Sequence, residues 1–96
     1  MFTHIVFFKL KENTQDNLQK AYSILKNMDG KIKELKSMEV GIDELKTDRS
    51  FDLALITRFD SKSNYEKYAI SDFHVNEVLY KLRPMLESSK TVDYNL

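Results

Sequence analysis

Two segments of this chain suited to β-strands are apolar on both faces, and that doubles the cover their sheet requires. Phe2 to Leu10 places Phe2, His4, Val6, Phe8 and Leu10 on one face and Thr3, Ile5, Phe7 and Lys9 on the other. Phe51 to Phe59 repeats the pattern, with Phe51, Leu53, Leu55 and Phe59 opposite Ala54 and Ile56. Helices from one short chain screen only one side of such a sheet. The other side, left wet, would expose an apolar patch on the order of several hundred Å². A chain of 96 residues sits where about 60 to 65% of the unfolded surface is buried on folding, so a second subunit is a welcome source of cover. The expectation is a homodimer through the open sheet face, the same patch being used by both copies, with an interface on the order of 1,200 to 2,000 Å².

The remaining elements follow from periodicity and caps. Asn13 or Thr14 can cap a helix running to about Asp29, with Leu18, Ala21, Tyr22, Leu25 and Met28 at helical spacing and Gly30 as its stop. A strand follows around Ser37 to Asp43, where Gly41 suggests a bulge or a close approach. After the strand Phe51 to Phe59, Ser63 and Glu66 fit a capping box for a helix over Asn64 to Ile70. A last helix is predicted from Phe73 to about Glu87, with Val75, Val78, Leu79, Leu82 and Leu86 on its buried stripe and Pro84 bending or ending it early. Lys90 to Asn95 reads as the final strand. The order β-α-β-β-α-α-β suits an α+β fold of ferredoxin-like form, a single domain over residues 1–96 with a four-stranded antiparallel sheet and helices on one face.

Composition narrows the partners. Fifteen basic and fifteen acidic side chains cancel, so there is no long-range pull toward nucleic acid or an anionic membrane, and neither is expected as a partner. The run Arg49-Ser50-Phe51-Asp52-Leu53 is faintly like an RNA-recognition strand, but leucines stand where stacking aromatics are needed. With no cysteine, thiolate chemistry and disulfides drop out, which suits a reducing cytoplasm. The first residues carry no basic region or cleavage site of an export signal, and no segment reaches the roughly 20 apolar residues of a membrane span. A cytoplasmic location is expected. Two histidines and scattered carboxylates show no metal-ligand spacing, and no cofactor or metal is expected.

The chain resembles the stress-responsive A/B barrel (Dabb) family. The likeness spans nearly the whole chain and is carried by His4-Ile5-Val6-Phe7-Phe8-Lys9, Val40-Gly41, Phe51-Asp52-Leu53-Ala54-Leu55, Phe59-Asp60-Ser61, Tyr68 followed by His74, and Val92-Asp93-Tyr94. It implies that two sheets join into a dimeric α+β barrel, with a cavity in each subunit between sheet and helices. One plant member is a polyketide cyclase that uses histidine and tyrosine in that cavity. By position, the resemblance implies candidate catalytic roles for His4 on the first strand, Tyr22 on the first helix, and Tyr68 and His74 around the start of the last helix. Where the family often reads His-Pro-x-His, this chain has Ser71-Asp72-Phe73-His74, so no role that needs the missing pair is implied.

The residues allow a chemistry for this set. An imidazole titrating near pH 6.5 suits His74 to general base work, removing a proton α to a carbonyl while Tyr68 or Tyr22 donates to the developing enolate oxygen. The expectation is a small apolar carbonyl-type ligand handled by cyclase- or lyase-like acid-base chemistry. Competing with it are a histidine satisfied by backbone at the start of a helix, a core histidine at position 4 and a core tyrosine at position 22. The corresponding whole-protein alternatives are a non-catalytic stress-related structural dimer and a cofactor-free monooxygenase-like barrel.

Overall fold

β1 (Phe2–Leu10) lies inside the sheet, flanked by β3 (Leu53–Phe59) and β4 (Leu86–Asn95), and β2 (Ser37–Ile42) forms the far edge beyond β3. The most apolar strand thus takes a position with neighbours on both sides. All pairings in this computed structural model, which describes residues Met1 to Leu96, are antiparallel. Opposite one another on the helix-covered face stand Val6 and Leu55, and Phe8 and Leu53; on the open face, Ile5 meets Ile56 and Phe7 meets Ala54. The architecture is the expected α+β, ferredoxin-like one.

The helices bury one face of that sheet. α1 (Gln15–Lys26) is capped by Thr14, whose Oγ1 accepts the Asn17 N–H at 3.2 Å. Its buried stripe, Leu18, Ala21 and Leu25, packs with Met28, Phe59 and Val78. The helix stops short of Asp29 because the chain tightens into turns, with the Met28 and Asp29 N–H groups bonding to Leu25 and Lys26 carbonyls at 3.1 Å, before Gly30 reverses it at φ 78°. α2 (Lys62–Ala69) is capped by Ser61 rather than Ser63, its Oγ accepting the Asn64 N–H at 3.1 Å.

Four further expectations need correction. The last helix is not one α-helix to Glu87: a π-helix, Phe73–Leu79, leads into a single α turn, α3 (Tyr80–Leu82), and a 3₁₀ turn, Arg83–Met85. The wider π turns shift the angular phase, so Val78 and Leu82 stay buried while Val75, expected on the same stripe, is 40% exposed. Pro84 cannot continue the helix, and β4 begins at Leu86, four residues before Lys90, because β1 offers pairing as far as Leu10. β3 starts at Leu53 rather than Phe51, since Asp52 is turned inward, its carboxylate accepting the Leu10 N–H at 2.8 Å and the Asn13 side-chain amide at 3.2 Å. Gly41 marks no bulge, for pairing with Ala54 is regular there and nothing crowds its Cα.

The second face of the sheet stays open. Phe7, Val92 and Tyr94 are 39%, 55% and 37% exposed, with Ile5, Ala54 and Ile56 half-buried between them. No helix is long and apolar enough to cross a membrane.

Candidate functional site

Sheet and helices do not close completely on each other, and the gap is a cavity of about 250 Å³. Its closed end is apolar, formed by Leu25, Met28 and Leu55, all essentially without exposure. His4 enters from β1, Tyr68 from α2 and His74 from the π-helix, so three of the four candidates line one space. Tyr22 does not join them. It is half-buried and faces a shallow groove with Ser23, Lys26 and Glu77 on the outer side of α1. A larger hollow of about 450 Å³ lies across the sheet, on the open face beside Phe7, Arg49 and Phe51, but none of the candidate histidines or tyrosines reaches it.

Local chemistry fixes His74. The Ser71 hydroxyl donates to the Tyr68 carbonyl at 2.8 Å and accepts the His74 N–H at 3.3 Å, so Ser71 caps the start of this segment. The π turn, with the Tyr80 N–H reaching back to the Val75 carbonyl, is the local departure from α geometry that follows. His74 Nδ1 lies 2.9 Å from the Ala69 carbonyl. A carbonyl only accepts, so Nδ1 carries the hydrogen and Nε2 is the basic nitrogen, with no partner in the protein. Burial lowers the His74 pKa from its ordinary value; the Ala69 bond opposes this, and the nearby His4 and Arg83 add to the lowering. The ring is neutral at neutral pH.

Tyr68 stacks on His74 with centroids 4.4 Å apart. Its hydroxyl is buried, and burial together with the neighbouring Tyr65 pushes its pKa upward, keeping it a hydrogen-bond donor. The only acceptor it finds is the Met28 sulfur at 3.5 Å, a weak one.

His4 is tied differently. Asp93, its partner in the β1–β4 register, bonds Nδ1 of the imidazole, and Tyr65 packs on the ring with centroids 4.7 Å apart. The Tyr65 pKa is raised by burial first and then by the Asp93 and Glu66 carboxylates. Asp93, Tyr65 and Arg83 were not singled out from the sequence as site residues. For Asp93 the signal existed, since antiparallel pairing of the first and last strands puts facing residues side by side. For Arg83 there was none, because an irregular helix end decides where it lies. No group of three or more His, Cys, Asp or Glu side chains converges anywhere, so no metal-ligand set is assembled.

Known structures share this backbone. A dimeric ferredoxin-like protein of unknown function from Thermobifida fusca is 24% identical, with TM-score 0.85 over 99% of this chain and 90% of that one. A dimeric protein of unknown function and ferredoxin-like fold from Bacteroides fragilis is 25% identical, with TM-score 0.82 over 99% of this chain and 95% of that one. A hydroxynitrile lyase from Passiflora edulis is 20% identical, with TM-score 0.83 over 99% of this chain and 92% of that one. No protein of curated function matches the chain. The model of the Stress responsive A/B Barrel Domain, Dabb, matches residues 2–96, and the chain belongs to that family.

Proposed function

We propose that the chain works as a homodimer closed through its open sheet face, and that the cavity on the other side of the sheet takes a small, largely apolar carbonyl compound on which His74 acts as base. What carries this reading is one juxtaposition: an unpartnered imidazole nitrogen and a phenol satisfied only by a thioether share a space whose closed end is apolar. A volume of about 250 Å³ lies below the roughly 300 to 1,000 Å³ of sites for drug-sized ligands, which sets a small ligand.

His74 Nε2 accepts the proton from the carbon next to the carbonyl, and the electron pair of the broken C–H bond forms the enolate. Tyr68 exchanges its Met28 contact for the enolate oxygen, a stronger acceptor as charge develops. His4, held at Nδ1 by Asp93, is a further polar contact for the ligand. Tyr22 has no part in this step. A hydroxynitrile lyase on the same fold is a precedent for chemistry on this backbone. The exposed apolar row Phe7, Val92 and Tyr94 supports the dimer, as do two similar structures described as dimeric.

Crystals soaked in 4-phenyl-2-butanone test the reading. The ketone is expected in the cavity with its oxygen within hydrogen-bond reach of Tyr68 and a carbon beside its carbonyl near His74; a cavity that stays empty, or a ketone bound only elsewhere, would contradict it.

A further inference from the structure

Arg83 is the one permanent charge lining the cavity, and it has nothing to pair with. It sits on the 3₁₀ turn, exposed to solvent, while Leu82 beside it is buried and Leu86 and Ser89 continue the wall onto β4. No carboxylate lies within 4.0 Å of its guanidinium, and no acidic residue lines the cavity. The Asp93 carboxylate, which bonds the cavity's His4, is engaged there. The polarity of the space is therefore graded, from Leu25, Met28 and Leu55 at the closed end to a cation at the solvent side. The guanidinium is also close enough to depress proton uptake at His74, so it acts on the charge balance of the same site.

Resting on the function proposed above, we infer that the ligand is a monoanion, an apolar body with a carbonyl group and a carboxylate, with Arg83 at the cavity mouth as the carboxylate's anchor. Guanidinium presents paired N–H donors that match a carboxylate in a plane. A single unpaired cation balances one negative charge; a phosphate dianion would call for a second, and Lys81, its neighbour two residues away, is already paired with Glu77. With its head at Arg83, the ligand's body reaches past His74 and Tyr68 toward the apolar end.

Two probes of one skeleton separate the ideas: 4-phenyl-2-oxobutanoate, which carries the carboxylate, and the neutral 4-phenyl-2-butanone. Titration calorimetry on the intact protein at low salt, with the His74 ring followed by NMR to locate binding, is expected to show the keto acid bound at least ~10-fold more tightly than the ketone. Arg83→Gln should erase that preference and leave the ketone's affinity unchanged, and Arg83→Lys should retain part of it. Arg83 being exposed, circular dichroism should show both variants folded. A preference that survives Arg83→Gln, or a wild type that favours the ketone, overturns the anchor while leaving the cavity reading intact. If neither probe perturbs His74, the cavity reading itself fails and the anchor with it.

Discussion

The Tyr68 hydroxyl reaches the Met28 sulfur at 3.5 Å and has no other hydrogen-bond partner. Two buried groups are thus joined by a bond that contributes little to folding. Tyr68→Phe should therefore cost less than about 1 kcal/mol of stability, at the lower end for a buried hydrogen bond. The same change should lower proton abstraction from a bound ketone at least ~10-fold, since a donor to the enolate oxygen is removed. Urea denaturation and an exchange assay on one sample check both; a large stability loss with unchanged exchange would assign the hydroxyl to structure.

His74 ties pH to stability. Its folded pKa lies below the 6.5 of the free side chain, chiefly through burial. Below pH 6.5 the unfolded chain therefore takes up a proton that the folded chain refuses, down to the lowered value. Stability should fall across that window as the solution is acidified, and this group should add no pH dependence above it. His74→Gln should flatten that part of a urea-midpoint profile; a slope equally steep in the variant would place its origin elsewhere.

Thr3 is without exposure, and its hydroxyl has no hydrogen-bond partner. Valine has nearly the same shape and no such group to strand. Thr3→Val should stabilise the chain by about 1 kcal/mol in thermal or chemical denaturation. Destabilisation would mean that the hydroxyl finds a partner.

Val92 faces Ile5 on the open side of the sheet and is 55% exposed in the single chain. A charge there costs the isolated subunit little but would be buried between two copies. Val92→Asp should weaken self-association at least ~100-fold, with an unchanged circular dichroism spectrum. Sedimentation showing the wild type as a lone subunit at micromolar concentration would remove the dimer.

β1 was legible to the residue because alternation of large apolar groups needs no tertiary information, and its second apolar face announced the need for cover. Boundaries decided by competition were less legible. Asp52 could be seen as part of a strand, but not as a carboxylate turned to hold Leu10 and Asn13. The helical pattern after Phe73 was real, yet a π turn and Pro84 divide it and rotate Val75 into solvent. His4, Tyr68 and His74 line one cavity from three elements, a convergence that no local spacing in the sequence displays, whereas Tyr22 faces another groove because its spacing on α1 serves the outer edge of the stripe. Asp93 is 89 residues from His4, and only the strand register makes them neighbours.

Exchange of the methyl and methylene hydrogens next to the carbonyl of 4-phenyl-2-butanone, followed by NMR in D₂O, is the most direct test that His74 acts as a base in the cavity. The wild-type protein should accelerate exchange over buffer, with activity persisting below pH 6.5 as the lowered His74 pKa requires, and His74→Ala should return the rate to that of buffer. A rate in His74→Ala equal to the wild type's, or a wild type no faster than buffer, would contradict the account.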